Sequence, residues 1–186
     1  RRTNRHPFRS TQVRPSIFDD WYRDAKPEGC WIELIEDDDG KHAIADLVAE
    51  GDRLQGSDRA FRRELARWVH ANRSEAKDGM PGFAHGVGNV ASYLGPLILR
   101  TIGTDEETPA AWMNCGQALS KILLRGTSRG LDASYLNQPI EVTGLRQSVM
   151  DLLAADGYPQ LILRWGHGPE VKATPRRSVL MRSAEF

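Results

Sequence analysis

Three arginines and a threonine fall within the first five residues of this 186-residue chain, in the order Arg1, Arg2, Thr3, Asn4, Arg5. Guanidinium groups offer forked donors and threonine a hydroxyl, a set that suits a phosphate. Near the other end Arg176 and Arg177 stand side by side in TPRR. Either segment alone also reads as a solvated, charged chain end. Together they say more, because an anion gripped by arginines from both ends would tie down termini that otherwise fray. A third stretch, GLDASYLNQPIE at residues 130–141, is strand-like until Gln138 and Pro139 force a turn. A turn after a strand exposes backbone N–H groups that can face a ligand. An ordinary strand-to-helix connection fits the same residues, with Thr143 capping the next helix.

Other chemistries find less support. The histidines at 6, 42, 70, 85 and 167 show no i, i+4 or other close pairing, so no metal site is expected. His167, between two glycines, reads as a surface turn or a pocket wall. GVGNV at residues 86–90 imitates part of a dinucleotide glycine motif but lacks the preceding strand and the third glycine. No catalytic triad or paired-carboxylate signature stands out. The formal net charge is zero, which argues against a nucleic-acid binder; an arginine-led arm remains as a competing reading, and it predicts a colourless, salt-sensitive DNA binder. Cys30 and Cys115 are far apart in sequence without metal-type spacing, and two reduced thiols are expected rather than a lone disulfide. No apolar run approaches the roughly 18 residues of a membrane span, nor is there a signal peptide, so a cytoplasmic location is expected.

These residues need elements to position them. The short apolar run at residues 31–35 (WIELI) predicts a strand, as do residues 96–102 (PLILRTI), 131–136 (LDASYL) and 160–165 (QLILRW). Ile44, Leu47 and Val48 fall at helical spacing, and so do Phe61, Leu65, Trp68 and Val69, with Ser57 placed to cap that second helix. Thr108 and Pro109 announce the next helix, whose stripe is Trp112, Cys115, Gly116, Leu119, Ile122 and Leu123, and Gly130 ends it. Leu145, Val149, Leu152 and Leu153 mark the last helix. The five tryptophans mostly read as core. Residues 72–92 carry no period but many glycines, the pattern of a long loop that forms a surface lid or of a disordered excursion. Strands separated by helices predict an α/β or α+β layered fold in a single domain.

Taken in order, these segments resemble the nitroreductase superfamily. In that family an N-terminal RRS-x-R-x-F-like segment and a C-terminal basic segment hold the FMN phosphate, and a GL-x-A…P-x-E stretch runs under the flavin. Arg1, Thr3 and Arg5 match the first motif, with threonine for serine and one extra residue before Phe8; Arg2 lies within it. Arg176 or Arg177 matches the last, and Gly130, Leu131, Pro139, Ile140 and Glu141 match the middle one, with Val142 where a glycine often follows. RRTNRHPF, DGMP, NQPIE, PQLILRWGHG and TPRR further resemble the actinobacterial Acg-like branch.

The resemblance implies an α+β nitroreductase-like fold, a central, mostly antiparallel sheet flanked by helices. It implies FMN as cofactor, with cofactor-binding residues Arg1, Arg2, Thr3, Arg5, Pro139, Ile140, Glu141, Arg176 and Arg177 and the Glu141 N–H near flavin N5. NAD(P)H would then reduce the flavin, which passes hydride to a nitroaromatic, quinone or related acceptor; no catalytic acid–base side chain is required. A flavin-storing relative without turnover, with residues 72–95 as a cover, is the alternative. Acg-like chains fuse two such halves, so this chain corresponds to the C-terminal half. The missing half, or a second copy, would complete the site.

Overall fold

The computed structural model describes residues 3–70, 79–81 and 98–173. Its centre is a four-stranded antiparallel sheet in the order β1-β4-β6-β5. The strands are β1 (Cys30–Ile35), β4 (Ile98–Thr104), β5 (Asp132–Tyr135) and β6 (Tyr158–Gly166). The helices are α1 (Ser16–Ala25), α2 (Asp38–Ser57), α3 (Arg59–Trp68), α4 (Pro109–Ser128), the single turn α5 (Gln138–Glu141) and α6 (Thr143–Leu153). Two short strands, β2 (Val69–His70) and β3 (Met80–Pro81), pair in parallel apart from the main sheet. This is an α+β arrangement, a central antiparallel sheet flanked by helices, as expected from the sequence.

Both faces of the sheet are covered. On one, Ile32, Ile102, Leu163 and Trp165 pack against Ile17, Phe18 and Trp21 of α1 and Cys115, Ile122 and Leu123 of α4. On the other, Ile35, Leu99 and Ile162 meet Ile44 and Val48 of α2 and Val149 of α6. A strand buried on both sides needs apolar residues at consecutive positions, which is why Leu161, Ile162 and Leu163 of β6 follow one another. Trp21 and Trp165 stack at 4.4 Å between ring centroids in the first of these layers. Losing either ring should cost about 3–5 kcal/mol. Asp24 accepts two hydrogen bonds from Arg125, at 2.5 and 2.7 Å, and so ties α1 to α4; the guanidinium holds the Asp24 carboxyl below the usual range.

The tetrapeptide LILR occurs at residues 97–100 and again at 161–164. In the antiparallel register Arg100 lies opposite Leu163 and Arg164 opposite Leu99. Adjacent residues of a strand point to opposite faces, so the two arginines leave the sheet in opposite directions. Both are 1% exposed.

Helix boundaries follow the chain's capping residues, with corrections. Thr108 caps α4 as expected, its hydroxyl accepting from the Ala111 N–H at 3.2 Å. Gly130 takes φ +71, and the Leu131 N–H reaches back to the Gly126 carbonyl at 2.9 Å, the left-handed ending that glycine permits. Asp58, rather than Ser57, caps α3: its carboxylate accepts from the Ala60 N–H at 2.7 Å, while Ser57 stays in α2 and donates to the Leu54 carbonyl. α6 begins without a side-chain cap, so Thr143 does not serve as one. Val69 belongs to β2, and α3 buries none of its residues. The α4 stripe is also rotated from expectation: Trp112 is 47% exposed, while Ala118 and Gly126 are buried. Trp21 and Trp165 are core, but Trp68, at 53% exposed, is not.

Candidate functional site

β5 is an edge strand, and the N-terminal segment closes that edge. Thr3 forms a parallel bridge with Ala133, and the Asn4 N–H donates to the Ala133 carbonyl at 2.9 Å. The Asn4 side chain is completely buried. Its Nδ2 donates to the Pro169 carbonyl at 2.8 Å, and its Oδ1 accepts from the His6 N–H at 3.2 Å. One residue thus ties the N-terminal segment both to β5 and to the chain leaving β6. Gly168 completes the clamp: its N–H donates to Asp132 Oδ2 at 3.1 Å, and a Cβ there would stand 2.2 Å from Asn4 Nδ2.

Further along, the strap is pinned from beneath. Arg164 Nη2 donates to the His6 carbonyl at 2.8 Å, and its guanidinium lies 4.5 Å from the centroid of the Phe8 ring. The Arg9 N–H donates to the His167 carbonyl at 2.8 Å, and His167 Nδ1 donates to the Gly130 carbonyl at 3.2 Å. His167 is therefore a bracket within the site. Residues 3–9, 130–133 and 166–169 meet here; TPRR, the third segment singled out in the sequence, lies outside the described residues.

Thr3 and Arg5 flank the buried Asn4 and are both half-buried. Arg1, Arg2, Arg176 and Arg177 lie outside the described residues, as does nearly all of the glycine-rich stretch 72–95.

The 138–141 turn is fixed from two sides. Asn137 Oδ1 accepts from the Ile162 N–H at 3.0 Å, and the Leu136 N–H donates to the Ile162 carbonyl at 2.9 Å. Pro139 is buried, and Ile140 packs against the α2–α6 layer. Glu141 accepts from Gln55 Nε2 at 2.7 Å, and its N–H donates to the Asn137 carbonyl at 3.0 Å. Gln138 Oε1 is buried with no donor among the described residues. An orphaned buried acceptor costs about 1–3 kcal/mol, so it marks a place for a donor.

A cavity of about 330 Å³ adjoins the strap on the α4 side, bounded by Leu123, Thr127, Asp132, Trp165, Gly168 and Glu170. Its two carboxylates do not suit an anion, in contrast to Thr3 and Arg5. Sequence reasoning passed over Asn4, Asp132, Arg164 and Gly168. The available signal was a charge inside an apolar strand (LILRW), which a buried, hydrogen-bonded guanidinium explains. Among the described residues no cluster of histidine, cysteine and carboxylate groups could hold a metal ion, and no helix is long and apolar enough to cross a membrane.

No protein-family model matches the chain. It is similar to the Mycobacterium tuberculosis protein acg, named as an NAD(P)H nitroreductase, with 30% identity over 154 residues, 80% of this chain and 40% of that protein. The chain thus spans less than half the length of the curated relatives it matches. In three dimensions it is similar to a nitroreductase with bound FMN from Desulfitobacterium hafniense, at TM-score 0.63 and 15% identity, covering 98% of this chain and 92% of that one. An iodotyrosine deiodinase bound to FMN and 3-iodo-L-tyrosine gives TM-score 0.63 at 16% identity, covering 96% and 92%.

Proposed function

We infer that this chain, which belongs to the nitroreductase superfamily and is related to its Acg-like members, binds FMN and forms half of an oxidoreductase site. The observation that carries this reading is the strap, through which the N-terminal segment, residues 130–133 and the end of β6 converge on one edge of the sheet. The donor set fits the group. Thr3 and Arg5 would take the phosphate, joined by Arg1, Arg2, Arg176 and Arg177 from chain ends that continue directly from the described site. Pro139, Ile140 and Glu141 would lie along the flavin, with the orphaned Gln138 acceptor beside them. The Glu141 N–H already serves Asn137, so contact with flavin N5 would have it shared between two acceptors.

FMN supplies the hydride chemistry; the protein binds, orients and shields it. NAD(P)H as donor and a nitroaromatic, quinone or related acceptor complete the proposal. The site would be completed by a second copy or by a second nitroreductase-like half. α3 supports this: its stripe of Phe61, Leu65 and Trp68 has no buried member, and Leu65 and Trp68 are 39% and 53% exposed.

An absorption spectrum of the purified chain loaded with FMN, followed by NADPH or NADH without oxygen, tests the reading. Flavin absorbance that bleaches on addition is expected. Bound flavin that stays oxidised would remove the reductase assignment and leave a flavin-binding protein.

A further inference from the structure

Ile44, Val48, Gly51 and Gln55 follow one another along one face of α2, at helical spacing. Ile44 and Val48 pack on the sheet; Gly51 and Gln55 meet the 138–141 turn instead. Gly51 is buried, and a Cβ there would stand 2.7 Å from Gln138 Cβ and 3.0 Å from the Gln138 carbonyl carbon. Those atoms belong to the backbone or hang directly on it, so they cannot swing aside as the far end of a flexible side chain would. Glycine inside a helix is unfavourable relative to alanine. At Gly51 the close approach of two backbones accounts for it, whereas a Cβ at Gly56 of the same helix would meet nothing within 4 Å. One turn beyond Gly51, Gln55 Nε2 donates to Glu141 Oε2 at 2.7 Å. α2 therefore holds both the first and the last residue of α5. α5 is a single turn that begins without a side-chain cap, so contacts from other elements set where it sits.

We propose that Gly51 is a positioning residue for the flavin ring, with Gln55 as its companion. Its missing Cβ lets α2 seat Gln138 closely, and that seat fixes the level at which Pro139, Ile140 and Glu141 are presented. The proposal rests on the reading that these three residues lie along FMN. The strap that carries Thr3 and Arg5 is anchored separately, by Asn4, Arg164 and Gly168. Ring and phosphate are thus held by different elements, and a change at Gly51 acts on the ring end. A Cβ there forces α2 and the Gln138 backbone apart and moves the turn.

Titrating FMN and, separately, riboflavin into the full chain and into its Gly51→Ala and Gly56→Ala variants, with the visible spectrum of the bound flavin recorded, tests this. Both ligands carry the ring and only FMN carries the phosphate. Gly51→Ala should therefore weaken both by the same factor, about tenfold, and shift the flavin's visible bands. Gly56→Ala, whose methyl meets open space, should change neither. Unchanged affinities and spectrum in Gly51→Ala would overturn the proposal, and so would a loss confined to FMN. A parent chain that binds neither flavin would remove the FMN reading itself, and the proposal with it. Should circular dichroism show that Gly51→Ala does not fold, Gln55→Leu takes its place. Losing the bond to Glu141 should shift the flavin bands and weaken both ligands equally, and an unchanged spectrum would overturn the proposal.

Discussion

Arg100 and Arg164 end the same tetrapeptide on adjacent antiparallel strands and are equally buried, yet they have different surroundings. Arg164 faces the strap, donates to the His6 carbonyl and stacks on Phe8. Arg100 faces α1, with its guanidinium 4.0 Å from the Phe18 ring centroid and 4.3 Å from that of Trp21. Among the described residues none of its three nitrogens has a hydrogen-bond partner, and burial pushes its pKa down to about 10. A one-residue offset in register thus turns one sequence into an anchor for the candidate site and, on the other face, a desolvated cation held by aromatic rings. The difference shows that a charge in an apolar strand marks something unusual without saying which layer will use it.

Substitutions should separate the two arginines by sign. Arg164→Leu removes a charge-assisted hydrogen bond and a cation–π contact, and should lower unfolding stability by about 2–4 kcal/mol in urea titration. Asn4→Ala should cost about 2 kcal/mol by the same measurement, because it leaves the Pro169 carbonyl and the His6 N–H without their partner. Arg100→Met should instead be neutral or stabilise by about 1–3 kcal/mol, since an apolar side chain of similar length removes a buried charge that has no hydrogen-bond partner among the described residues. A large loss at Arg100 would erase the contrast.

The smallest effect is in pH dependence. Arg100 has a folded-state pKa depressed to about 10, so below that value both folded and unfolded states are protonated and the burial cost is fully present. Above it the folded state releases its proton before the unfolded state does, and stability rises with pH. The stability gap between Arg100→Met and the parent chain should therefore be constant through neutral pH and narrow only as pH passes about 10. A gap that changes between pH 6 and 8 would contradict this.

Local signals carried much of the fold. The apolar runs located all four main strands, and Thr108, Pro109 and Gly130 framed α4 because capping is decided by neighbours in sequence. The errors came where two elements compete for one boundary, as with Ser57 and Asp58 between α2 and α3, or where an aromatic residue stays on the surface, as with Trp68 and Trp112. Motif resemblance brought Thr3 and Arg5 into the site, but not Asn4. Its role depends on the Ala133 and Pro169 carbonyls, more than a hundred residues away in sequence, and no local pattern encodes such a pairing.

In the proposed site, Thr3 and Arg5 of the strap meet the phosphate of FMN. Titrating FMN into the parent chain and into a Thr3→Ala, Arg5→Ala double variant, with riboflavin as the phosphate-free control, tests it directly. The double variant should lose about 3–5 kcal/mol of FMN affinity while riboflavin binding barely changes. Equal FMN affinity in the two proteins would contradict it.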